Sequence, residues 1–166
     1  MTERMDFICA NAPSLKRAYH YTACGLDNVY LHSGVVIEKD PDYGQLITIE
    51  REQDLQRAIA LQLIETGRSL NGNEFRFLRK LMKQTQVDLA RIMKVDVQTI
   101  ANYEKKSNIP GPSQQLMRML VLFHVLPNEV SAKAAKSVAH DEPLLDTLPQ
   151  RELRKVTQAW RERALA

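Results

Sequence analysis

Between residues 73 and 125 the apolar positions recur at three- and four-residue spacing in four successive runs, the period of helices that bury one face. In the first, Asn73 to Lys83, a stripe of Phe75, Leu78, Leu81 and Met82 faces inward and Arg76, Arg79, Lys80 and Lys83 form the exposed side. The second, Thr85 to Met93, opens with a cap residue followed three positions later by an acid, a capping-box variant. Its apolar positions Val87, Leu89, Ala90, Ile92 and Met93 leave room for a close crossing at Ala90. Lys94-Val95-Asp96 is a three-residue turn, and Asp96 is placed to cap a third helix running to Lys106. There Ile100 and Tyr103 share a face, and Val97, Gln98, Thr99, Asn102 and Lys105 spread over the others. Pro110-Gly111-Pro112 breaks the chain, and Leu116, Met119, Leu120 and Phe123 give the apolar face of a fourth helix.

Upstream the pattern changes from helical spacing to alternation. Asn28 to Ser33 and Gly34 to Glu38 alternate or run apolar, Asp40 to Gly44 is turn chemistry, and Gln45 to Glu50 follows, which predicts a β-hairpin or small antiparallel sheet from about Val29 to Glu50. A lone hairpin is marginal in water, so the next helix, Glu52 to Glu65 with Leu55, Ile59 and Leu63 on one face, is expected to cover it. Gly67 and Asn71-Gly72 close that unit. Residues 1 to 25 are harder to read: Ala12-Pro13-Ser14 suggests a turn and Tyr19 to Gly25 has strand-like residues. Beyond Val125 an Ala-rich helix is expected through Ser131 to Ala139, then a last helix from Leu148 to Arg163 with Leu153, Val156 and Trp160 on one face. That Trp packs onto its own chain or closes a dimer, and self-packing is favoured. The expected fold is α+β, mainly α: an N-terminal β-containing unit with a helix (1–71), a helical bundle (72–125) and a C-terminal helical extension (126–166).

Charge follows this division. The net charge is +3, yet Gly72 to Val125 holds nine Lys or Arg against four Asp or Glu, while Leu26 to Asn71 holds four against eight. A basic surface supplies the sequence-independent part of DNA affinity, so the excess on the helical run points to nucleic acid. The polar face of the third helix agrees. Gln and Asn amides pair bidentately with adenine, and an apolar tip such as Val97 suits the thymine methyl.

The run Phe77-Leu-Arg-Lys, Thr85-Gln86-x-x-Leu89-Ala90, Val95-x-x-Gln98-Thr99-Ile100-x-x-Tyr103-Glu104 resembles the XRE, or Cro/phage-repressor-type, helix-turn-helix family over about fifty residues. The resemblance implies a lambda-repressor-like bundle that binds double-stranded DNA as a homodimer. It assigns base reading to Val97, Gln98, Thr99 and Asn102, and phosphate contact to Gln86, with Lys94, Lys105 and Lys106 adding charge nearby. The family usually has Gly where Lys94 and Lys106 stand, positions that often need positive φ. The layout of a small β-containing unit, a helix and such a bundle also resembles the MqsA/YgiT-type antitoxins and their regulator relatives. That likeness implies, as the alternative, an antitoxin that holds a toxin on its acidic N-terminal segment and represses its own operon.

In those relatives two Cys-x-x-Cys pairs bind zinc, and this chain has neither. The available Cys9, His20, Cys24 and His32 are separated by ten, three and seven residues, which matches no familiar tetrahedral pattern, so no metal or cofactor is assigned. A Cys-His nucleophile would need an orienting third group, and no Gly-rich phosphate loop or telling carboxylate pair is present, so no catalysis is expected. No run approaches the roughly 18 apolar residues of a membrane span, and the first residues lack an export pattern, which predicts a cytoplasmic protein with no membrane partner.

Overall fold

The computed structural model describes residues 3–126 and 158–163 of the 166. Among these the protein is α+β, with five helices and six strands. The chain divides into two compact units: residues up to Ile59 with the segment from Thr157 onward, and Ala60 to Val156.

In the first unit, strands β1 (Met5–Cys9), β2 (Ser14–His20), β3 (Val29–Ser33) and β6 (Trp160–Glu162) form one sheet in the order β2-β3-β1-β6. β1 runs parallel to β3, whereas β2 pairs antiparallel with β3 and β6 antiparallel with β1. β4 (Val35–Asp40) and β5 (Gly44–Ile49) make a separate hairpin. The expected sheet from Val29 to Glu50 is therefore corrected: β3 leaves the hairpin to pair with β1 and β2 in the stretch that was hardest to read. Alternation explains why. Val29, Leu31 and Ser33 are buried while Tyr30 and His32 are half-exposed, so β3 needs a core on one face that a two-stranded ribbon does not supply.

That core is centred on Trp160, Phe7 and Leu31, all at most 1% exposed. Trp160 lies in β6 opposite Cys9 and donates its indole N–H to the Glu50 carbonyl at 2.8 Å, so the helix expected to end at Arg163 is a strand where it passes Trp160. Its burial is within its own chain. Gly34 permits the fit: with φ of +74°, a Cβ there would sit 2.5 Å from the Cys9 Cβ and 2.7 Å from the Trp160 ring. The Tyr21 hydroxyl donates to Glu52 at 2.5 Å, and burial followed by that carboxylate pushes its pKa well above the usual phenol value. The β4-β5 hairpin remains open along its strands, with Ile37, Leu46 and Ile47 each more than 40% exposed.

Helix α1 (Glu52–Glu65) carries the division between the two units, between 59 and 60. Residues 68 to 71 are stitched to the helices that follow: Leu70 N–H donates to Gln114 Oε1 at 2.8 Å, Arg118 to the Arg68 carbonyl at 2.5 Å, and Arg68 pairs with the fully buried Glu74. The second unit continues with α2 (Gly72–Leu81), α3 (Gln86–Met93), α4 (Val97–Lys106) and α5 (Gly111–Val125). Phe75, Leu78, Leu89, Ile100, Met117 and Val121 are fully buried in this unit. The Ala-rich helix, Leu153, Val156 and most of the 126–166 extension lie outside the described residues. No helix among the described residues is long and apolar enough to cross a membrane.

Candidate nucleic-acid interface

The second unit is organised around Glu104. It stands four residues after Ile100, on the inward face of α4, and its side chain is 1% exposed. A carboxylate so placed needs hydrogen-bonding partners. It receives Arg79 Nε at 2.6 Å and Nη2 at 3.2 Å, Arg76 Nε at 3.1 Å and the Gln86 amide at 2.9 Å. Burial works against its ionisation, but the hydrogen bonds from Arg79 and Gln86, the Arg79 charge and the Arg76 bond outweigh it and hold its pKa below the usual glutamate value. Two elements, α2 and α3, are thus fastened to α4 through one side chain. Arg79, expected on the exposed side of α2, is corrected: it turns to Glu104 and is only 12% exposed, whereas Arg76 keeps 43% exposure while its Nε reaches the same carboxylate.

The local chemistry of each helix start positions this cluster. Asn71 and Glu74 form a full capping box on α2, and Thr85 and Asp88 form one on α3, where the bonds from Thr85 lower the Asp88 pKa. Gly72 lets α2 approach the end of α4: a Cβ there would lie 2.3 Å from the Glu104 carbonyl oxygen, and its N–H donates to Ser107 Oγ at 2.8 Å. Lys94 closes α3 at φ 56°, ψ 43°, the left-handed conformation that Gly adopts most readily. At the end of α4 that conformation falls on Ser107 (φ 54°), one residue beyond Lys106, which is still helical. Asp96 has the extended backbone of a cap, but its carboxylate makes no cap bond, contrary to expectation; its carbonyl accepts from Thr99 N–H at 2.9 Å instead.

The outward side of α4 is polar. Gln98, Lys105 and Lys106 are exposed, Thr99 and Asn102 are half-buried, and Val97 is 41% exposed. Gln98, Asn102 and Lys105 follow one another at four- and three-residue spacing, so they form one stripe, with Gln98 Nε2 lying 3.4 Å from Asn102 Oδ1. Lys94 is exposed at the turn before it. Gln86 differs from a free phosphate donor, because its amide already serves Glu104. Of the apolar positions of α3, Val87 and Ile92 are 42% and 44% exposed. Since Glu74 and Glu104 are buried and paired, the exposed charge of this unit is dominated by Lys80, Lys83, Arg91, Lys94, Lys105 and Lys106.

The Tyr103-Glu104 pair is legible in the sequence, but the work of the carboxylate is not. The available signal was its spacing from Ile100, which places a charge in the core stripe. Gly72 was read as a boundary, and nothing local distinguishes a boundary glycine from one under another helix end.

Of the four candidate zinc ligands, His32 bonds Asp6 at 2.6 Å, His20 bonds the Asp27 carbonyl at 2.7 Å, and the Cys24 and Cys9 thiols lie near the Tyr21 and Ala10 carbonyls at 3.8 Å. Burial raises both thiols' pKa values. Family models, curated proteins and solved structures yield no match to this chain.

Proposed function

We propose that α2 to α5 constitute a helix-turn-helix domain of the XRE type, and that the protein is a transcriptional regulator, acting as a repressor, that binds operator DNA as a homodimer. The observation that carries this reading is the division of α4 into two faces. Ile100, Tyr103 and Glu104 are buried, and the last is gripped by two arginines and Gln86, which holds the amide stripe of Gln98 and Asn102 outward. In this reading Gln98, Asn102, Thr99 and Val97 meet base edges in the major groove, and Lys94, Lys105 and Lys106 meet phosphates. One such helix spans few base pairs, so a two-fold dimer on an inverted repeat, with half-site centres about 34–36 Å apart, supplies the specificity. Occupation of a promoter then suffices for repression. The antitoxin alternative rests on the acidic stretch before Asn71, and no particular contact in the first unit favours a toxin over DNA alone.

The test is selection of bound sequences from random duplex DNA by the purified protein, with its mass in solution measured alongside. An inverted repeat bound by a dimer is expected. Recovery of no enriched sequence, with binding that depends on salt alone, would reject base reading.

A further inference from the structure

The outer face of the four-stranded sheet opens into a cleft of about 730 Å³, in a unit to which the DNA-binding reading assigns no role. We propose that this cleft binds a small phosphorylated ligand carrying a planar ring, a nucleotide by chemical class.

Strand alternation builds the cleft. With Val29, Leu31 and Ser33 turned to the core, Tyr30 and His32 face the other way; the parallel register sets Asp6 beside Tyr30, and the antiparallel register sets His20 opposite it. Arg163 continues β6 alongside Asp6, donating its backbone N–H to the Asp6 carbonyl at 2.7 Å. The resulting wall carries Arg4, Lys16, Arg17 and Arg163, and no carboxylate lines it. Asp6 lies beneath at 4% exposure and is already bound by Arg4 at 2.8 Å and His32 at 2.6 Å. Lys16 and Arg17, both exposed, have no ion-pair partner among the described residues. The surplus of positive charge in a concave site selects an anion.

Planar groups point to the second part of the ligand. The Arg4 guanidinium lies 4.0 Å from the Tyr30 ring centroid and the His20 ring stacks on Tyr30 at 4.7 Å with 10° between planes, so a cation and a second planar ring both rest on Tyr30. His20 is exposed, and its Nε2–H is tied to the Asp27 carbonyl, which fixes the ring as a platform. Its outer face suits a nucleobase. His32 donates Nε2–H to Asp6 and accepts Arg163 Nη1 at Nδ1, 2.7 Å away. One N–H of Arg163 is used in this way, and the guanidinium is anchored at the cleft with other donors to offer. The volume lies in the range of roughly 300–1,000 Å³ typical of small-molecule sites, whereas a nucleic-acid strand needs successive platforms along a groove and His20 and Tyr30 of this cleft are stacked on one another.

Calorimetric titration of the full chain with the four nucleoside monophosphates, inorganic phosphate, adenosine and a single-stranded oligonucleotide tests this. At least one monophosphate should bind about tenfold or more tightly than either phosphate or adenosine, and its affinity should fall with added salt. The double variant Lys16→Ala/Arg17→Ala, altered only at exposed positions, should lose at least about tenfold in that affinity with an unchanged unfolding curve. His20→Ala should weaken the nucleotide and leave inorganic phosphate as before. Absence of heat from all four monophosphates at millimolar concentration would overturn the proposal, as would equal nucleotide affinity in the double variant. An oligonucleotide bound a hundredfold more tightly than any monophosphate, and losing that affinity in Lys16→Ala/Arg17→Ala, would instead make the cleft a strand-binding surface. No arm of the experiment involves duplex DNA, so the outcome is independent of the function proposed for α4.

Discussion

Glu104 and Asp6 are both 4% exposed and both bound by basic side chains, yet the two units use them in opposite ways. In the helical unit the carboxylate gathers Arg76, Arg79 and Gln86 to itself, and the outward face of α4 is left to amides and lysines. In the β unit Asp6 holds Arg4 and His32 at the floor of an open face, and Lys16 and Arg17 remain on its wall without a carboxylate. A count of charges does not separate these cases; the side of the element on which each carboxylate falls does.

The largest effect should come from removing the β unit's inner face. Trp160→Ala deletes a fully buried indole and leaves the Glu50 carbonyl without its donor, and should cost about 3–5 kcal/mol in denaturant unfolding. A loss below about 1 kcal/mol would show that the closing strand does not hold the sheet.

Glu104→Ala comes next, because it strands Arg79 at 12% exposure; about 3 kcal/mol is expected, at the lower end for broken buried pairs since Arg76 is partly solvated. The pH dependence has a definite sign. With its pKa depressed in the folded state, Glu104 contributes fully above the ordinary glutamate value, and that contribution disappears as pH falls from there through the depressed value. Urea titrations across the acid range should therefore show the wild type losing more stability than Glu104→Gln, and parallel curves would contradict the role given to this carboxylate.

Gly72→Ala should cost about 1–3 kcal/mol by forcing α2 away from the Glu104 carbonyl, although alanine is the better helix former. Thermal unfolding checks it, and a stabilised variant would mean the approach is not tight. The smallest change is expected from Lys105→Ala and Lys106→Ala. Each leaves stability within about 0.5 kcal/mol and should reduce the salt slope of DNA binding by about one. An unchanged slope would take that lysine out of phosphate contact.

The two units also differ in how much the sequence disclosed. The four helices were readable as elements because each carries its own start or stop, as at Thr85 with Asp88 or at Pro110. The face of α5 was not: Met117, Val121, Leu122 and Val125 are buried, whereas Leu116, Met119 and Leu120 are half-buried and Phe123 is 47% exposed. The sheet was not readable, since its partners are distant: β1 pairs with β6 across most of the chain, and no local pattern joins Cys9 to Trp160. The spacing of Leu153, Val156 and Trp160 suits a helix, and the three-residue strand is too short to oppose that reading. Within the candidate interface the outward residues of α4 were legible from period alone. The Glu104 cluster, the absent cap at Asp96 and the left-handed Ser107 depend on how α2, α3 and α4 meet, which spacing within one helix does not record.

The central claim is that the stripe of Gln98 and Asn102 reads bases. Its most direct test is the affinity of wild type, Gln98→Ala and Asn102→Ala for the selected duplex and for a scrambled duplex of equal length at one salt concentration. Each variant should lose about 1–3 kcal/mol on the selected site, little on the scrambled one, and relax preference at one base position. Equal losses on both duplexes, or none on either, would contradict the claim.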